Sequence, residues 1–207
     1  SAFCSALKSS RIVGISMQKC YLGPQALALL ADAISAMAGI VSINCLANKF
    51  GEEGLSTLLA SIKDTSVRSL CGLIEGQTVA DFSGQNLGPI DCKIMAAEFA
   101  FQGFIAAVNS ITVDSTGDMP NQYGETKSGG PKPCTLTAGE ETIDLSTKNL
   151  GPADVNFLAV WLQRPEVIAA VNRLTIDSTG VMTDEYGRFG QGTQKPYTLT
   201  AGEETID

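Results

Sequence analysis

Residues 12–22 read IVGISMQKCYL and residues 40–50 read IVSINCLANKF. Laid over each other, both are apolar at the first, fourth, sixth and eleventh places and carry Cys20 or Asn48 at the ninth. Apolar residues two apart mark a strand with one buried face. The two stretches start 28 residues apart. Self-similarity at a fixed period constrains the fold before any local reading does.

A longer period runs through the rest of the chain. Shifted by 63 residues, IAAVNSITVDSTG at 105–117 falls on IAAVNRLTIDSTG at 168–180, identical at ten of thirteen places. The same shift lays TLTAGEETID at 135–144 on its copy at 198–207, and NLGP at 86–89 on NLGP at 149–152. The apolar places of the shorter pattern recur at Val108, Ile111 and Val113 and at Val171, Leu174 and Ile176, with Thr116 and Thr179 at the ninth place. Its later half recurs from Ala80 to Leu87 and from Ile143 to Leu150. Gly-Pro pairs at 23–24, 88–89 and 151–152 predict helix starts, because Pro at the first helical position sacrifices an N–H that has no partner anyway. The segments that follow carry apolar residues at spacings of three and four: Leu27, Leu30, Ala31 and Ile34; Cys92, Met95, Ala96 and Phe99; Val155, Leu158, Ala159 and Leu162.

Alternating strand and helix at 28 to 32 residues resembles the leucine-rich repeats of the ribonuclease-inhibitor type, closely over residues 12–62 and more loosely afterwards. That resemblance implies an α/β solenoid, a horseshoe with a parallel sheet on the concave side and helices on the convex side. It also implies binding rather than catalysis. It rests on scaffold positions alone and carries no functional residue across. Residues 1–207 are read as a single leucine-rich-repeat domain, a piece of a longer chain with the 63-residue super-repeat starting near residue 71. The copy at 198–207 stops as a strand begins, so further repeats or a partner are expected beyond Asp207.

Three segments depart from the repeat. Residues 118–133 and 181–196 are rich in Gly, Pro and polar residues, so loops are expected in place of convex helices. The C/Y-TLTAG run after each predicts an irregular or hairpin-like convex segment. About twelve residues from Val67 precede the strand at 78–82, too few for a strand–helix crossover, so Leu70 to Leu73 are expected to pair outside the concave sheet.

The formal charge of −8 opposes nucleic-acid binding, which clustered Lys and Arg drive, and favours a basic protein partner. The chain has no histidine, which removes the commonest general base and imidazole metal sites. Six widely spaced cysteines without C-x-x-C argue against zinc and favour reduced thiols in an intracellular, cytoplasmic setting. No apolar run is long enough for a membrane-spanning helix, and the opening residues do not read as a signal peptide. No cofactor or metal is expected.

On the predicted concave face, side chains between the buried places point outward. One column there reads Ser16, Asn44, Asp81, Thr112, Asp144, Thr175 and Asp207; the next reads Gln18, Leu46, Ser83, Asp114, Ser146 and Asp177. Asp81, Asp114, Asp144 and Asp177 are therefore expected to form a zigzag acidic line, with Thr112 and Thr175 beside it. Trp161 stands where Glu98 stands one block earlier, and a Trp in place of a charge suggests an interface anchor or a ring lying over a neighbouring element. The expected function is a non-catalytic protein-binding or scaffold module using the acidic face, the convex loops, or both. Its alternative is a structural subunit of a large assembly that leaves that face unused. Hydrolysis or cation binding on the acidic line is the weakest reading, because no pocket that would shift a pKa is visible.

Overall fold

The computed structural model describes residues 5–7, 10–37, 39–117, 130–177 and 196–202. The chain divides into two compact units, one comprising Ser1–Ala80 and Gln85–Val108, the other Asp81–Gly84 and Asn109–Asp207. Most of the two polar loops, the strand start at 203–207 and Asp207 lie outside the described residues.

In the first unit, β1 (Gly14–Ser16) pairs in parallel with β2 (Ser42–Asn44), Ile15 opposite Ile43. Each strand leads to a helix, α1 (Pro24–Ser35) and α2 (Gly51–Ile62). Asn48, at the ninth place of its repeat, joins the two: its Oδ1 accepts the Leu22 N–H at 2.9 Å and its Nδ2 donates to the Met17 and Cys45 carbonyls. Ser69 and Cys71 make isolated bridges to Ser42 and Asn44, so this stretch lies beside β2 without forming a strand of its two-stranded sheet. Next come β3 (Val79–Asp81), α3 (Pro89–Ala100) and a 3-10 turn at Phe104–Ala107.

The second unit contains β4 (Ser110–Asp114), β5 (Pro133–Thr137), β6 (Thr142–Leu145), α4 (Pro152–Leu162), the short α5 (Pro165–Ile168), β7 (Arg173–Asp177) and β8 (Pro196–Thr200). The sheets run β3–β4–β5 and β6–β7–β8. Strands β6 and β7 are parallel, whereas β5 and β8 lie antiparallel to the strands before them.

This corrects the horseshoe expectation. Separate sheets of two, three and three strands replace one continuous parallel concave sheet. The cause is local: β5 occupies one edge of β4 and β8 one edge of β7, and the C/Y-TLTAG runs that form them are sheet strands rather than convex segments.

What repeats is a strand–turn–helix unit, and three of those described enter their helix through Leu-Gly-Pro. Ile15, Ala80 and Ile143 each lie seven residues before Leu-Gly-Pro, and Pro24, Pro89 and Pro152 open the helices. The connecting turn takes the left-handed backbone at the same two places in all three: Lys19, Gly84 and Thr147, then Tyr21, Asn86 and Asn149. Non-glycine residues resist that conformation, so its recurrence is imposed by the unit and not by local preference.

Helix burial follows the expected stripe in α1, where Leu27, Leu30, Ala31 and Ile34 are buried. In α3 the buried set is Asp91, Cys92, Ile94, Met95 and Glu98; in α4 it is Ala153, Asp154, Phe157, Leu158 and Trp161. The predicted stripes in α3 and α4 are therefore displaced: Ala96 and Phe99 are only half-buried and Ala159 is exposed. Both displaced stripes include a carboxylate that burial would exclude unless it were hydrogen-bonded.

The chain passes tightly after α3. A Cβ on Gly103 would lie 2.4 Å from the Arg68 carbonyl and 2.4 Å from Glu98 Cγ, while one on Gly23 meets nothing within 4 Å. Gly103→Ala is expected to lower unfolding free energy by about 1–3 kcal/mol in denaturant titration. Gly23→Ala should change it by less than about 1 kcal/mol.

Candidate functional site

Asp91, Asp154 and Glu98 are buried carboxylates that hold turns and strand ends. Asp91, at the third position of α3, accepts the Gly88 N–H on Oδ2 at 2.8 Å and the Ala47 N–H on Oδ1 at 2.7 Å. Asp154, its counterpart in α4, accepts the Gly151 N–H at 2.7 Å and the Thr116 N–H at 2.6 Å, both on Oδ2. Each aspartate thus closes the first turn of its own helix and fastens that helix to the turn of an earlier strand. Glu98 Oε2 accepts the Leu70 and Cys71 N–H groups and the Ser69 hydroxyl, and its Oε1 accepts the Ile105 N–H. Burial pushes the Glu98 and Asp91 carboxyls above their usual range, against the opposing pull of these hydrogen bonds.

The predicted acidic line is largely committed to the same task. Asp81 Oδ1 accepts the Ser83 N–H at 2.9 Å and hydroxyl at 2.7 Å, and Asp144 Oδ1 accepts the Ser146 N–H at 2.9 Å. These bonds, the hydroxyl first in each case, hold both carboxyls below their usual range. Asp114 Oδ2 accepts the Gly84 N–H and Asp177 Oδ2 the Thr147 N–H. Asp81 and Asp144 are exposed and Asp114 is half-buried, but Asp177 is buried, as is Leu46 in the same predicted column. The four therefore do not make one open acidic line. Among the described residues no group of three or more His, Cys, Asp or Glu is placed to hold a metal ion.

What remains open is a row of hydroxyls. In β6–β7–β8, Asp144 stands opposite Thr175 and Thr175 opposite Thr198, with the two Thr Oγ1 atoms 3.1 Å apart. One block earlier Thr112 stands opposite Thr135 with Oγ1 atoms 2.9 Å apart, and Asp81 holds the place of Asp144. Thr135 and Thr198 are exposed, Thr112 and Thr175 half-exposed. Arg173 lies opposite Thr142 and Thr200 and adds a positive charge near Asp144.

Trp161 is not an interface anchor. It is fully buried, and the Arg164 guanidinium stacks 4.4 Å from its ring centroid while pairing with Glu166. An indole filling the place that Glu98 fills with a carboxylate explains the missing charge. The five described cysteines are free thiols. Burial pushes Cys134 up to about 11 and raises Cys45 and Cys71 as well, so none of these three is a ready nucleophile. A cleft of about 650 Å³ between the ends of α2 and α3 has an apolar floor including Ile62 and Val67, with Lys63 and Arg68 also lining it.

Sequence reasoning missed Asp91, Asp154 and Glu98. The aspartates had a signal, since both follow Gly-Pro by two residues and so occupy the third helical position. Glu98 had none, because its partners lie 27 to 29 residues away at Ser69, Leu70 and Cys71.

No protein-family model, curated protein or solved structure matches the chain. Its fold makes it an α/β protein of small sheets with repeated strand–turn–helix units. Among the described residues no helix is long and apolar enough to cross a membrane.

A folded-state pKa raised above the unfolded one makes the native state bind more protons, so stability falls as pH rises between the two values. Glu98 and Asp91 have that sign; Asp81 and Asp144 have the opposite one, and their contribution is lost as pH falls below the ordinary aspartate range. Glu98→Gln should cost about 1–3 kcal/mol by leaving an amide N–H without its acceptor. In urea titrations at a series of pH values, it should also flatten the decline of wild-type stability above the ordinary glutamate range.

Proposed function

We propose that this protein is a non-catalytic protein-binding module that uses the hydroxyl-and-carboxylate rows of its sheets. The observation that carries this reading is the Asp144–Thr175–Thr198 row and its copy at Asp81, Thr112 and Thr135. Strand geometry fixes these side chains at a regular spacing of about 4.8 Å between strands. Two exposed acceptors of low pKa beside hydroxyls suit Lys, Arg and amide donors, and the net charge of −8 attracts a basic partner. Asp114 and Asp177 position turns and are not contact residues in this reading.

A structural subunit of a larger assembly is the second reading. It is favoured by a separate observation: Tyr197 and Leu199 of β8 are exposed, although their counterparts Cys134 and Leu136 in β5 are buried.

The combined variant Asp81→Asn, Asp144→Asn, Thr175→Ala, Thr198→Ala is expected to lose partners that the wild type captures from native extract. Raised salt should release the same partners. Capture unchanged by both treatments would refute the polar-row reading.

A further inference from the structure

Helices α2 and α3 of the first unit are joined toward their starts by the Lys93–Glu52 ion pair. Toward their ends lies the cleft of about 650 Å³. Its room has a source in the sequence: α3 contributes Ala97 and Ala100, where the 63-residue shift places the larger Val160 and Gln163. Ile62 and Val67 form a buried floor, with Leu59 and Phe101 half-buried beside it. Clefts of about 300–1,000 Å³ with an apolar lining and a few polar groups suit small organic ligands.

The lining also carries two positive charges and no carboxylate, in a chain of net charge −8. Lys63 and Arg68 are exposed, and among the described residues neither is in an ion pair, whereas Lys93 and Arg164 are. Arg68 Nη1 donates to the Thr65 carbonyl at 3.3 Å and the Val67 carbonyl at 2.8 Å. Those bonds hold the guanidinium and leave its Nε and Nη2 donors for a ligand. Glu98 lies next to Ala97 but is no competing charge, because its oxygens accept the Leu70, Cys71 and Ile105 N–H groups. A structural role covers part of this, since Lys63 follows α2 and offsets the negative end of its dipole. It does not explain an apolar floor left open beside two cations.

We propose that this cleft binds a small amphiphilic carboxylate, with its alkyl chain on Ile62 and Val67 and its carboxylate at Lys63 and Arg68. The planar guanidinium suits a carboxylate because it offers parallel donors to both oxygens. Burial of the chain supplies affinity without direction, and the two cations select the acid. The site shares no residue with the polar rows of the sheets and does not rest on the binding reading given for them.

Titration of octanoate into the isotope-labelled 207-residue chain, followed by amide chemical shifts, tests this. Shifts should centre on residues 63–68 and 97–102, and the dissociation constant should fall about 2–4-fold for each methylene added from hexanoate to decanoate. The double variant Lys63→Gln, Arg68→Gln should weaken octanoate binding about 3–10-fold and leave octanol binding unchanged. Ala100→Trp, at an exposed position of the wall, should abolish binding of both by filling the space. Ala97→Leu repeats that test should Ala100→Trp melt at lower temperature than the wild type. The proposal is overturned if octanoate produces no shifts at millimolar concentration or shifts centred elsewhere. Octanoate binding that the double variant leaves unchanged, or that survives both filling variants, overturns it as well.

Discussion

The fold depends on carboxylates that leave water to accept backbone N–H groups. Asp91 and Asp154 each bind two such groups, one in their own helix turn and one in the turn of an earlier strand. Burying a charge costs several kcal/mol unless it is hydrogen-bonded, and two charge-assisted bonds from fixed amides offset part of that cost. Because the donors belong to different segments, each aspartate fixes its helix against the turn of an earlier strand within the same compact unit. Apolar burial supplies most of the stabilising free energy but is not directional; these bonds select the register.

Glu98 shows the same device ending a strand run. Leu70 and Cys71 lie along β2, and their N–H groups would be open to a further strand. A carboxylate from α3 takes both, and Ser69 links into it through its hydroxyl. An unpaired strand edge invites association, and this one is covered from within. In the second copy of the block the larger Trp161 takes the position, also fully buried, and the polar contact is replaced by apolar filling.

The repeat units were legible in the sequence because their signals are local. Gly-Pro marked three of the five helix starts among the described residues, and the apolar residues Ile43, Ala80, Ile111, Ile143 and Leu174 are buried as expected. The sheet was not legible. Whether β4 continues into β6 or accepts β5 on its edge depends on a pairing across a long loop, and Thr135 and Leu136 have the same strand pattern in either case. The acidic line failed for a related reason: alternation shows which side chains leave a strand face, but not that Asp114 and Asp177 then turn toward the N–H groups of Gly84 and Thr147. The threonine row was half visible, since Thr112 and Thr175 were assigned outward while their partners Thr135 and Thr198 were placed in convex segments.

Hydrogen exchange of the Asp154→Ala variant tests the carboxylate tether most directly. If Asp154 fastens α4 to the turn after β4, the amides of Thr116 and Gly151 will lose protection while the Thr147 amide, held by Asp177, keeps its own. Unchanged protection at Thr116 and Gly151 would contradict the tether, and an equal loss at all three amides would mean that the residue supports the whole unit rather than the junction.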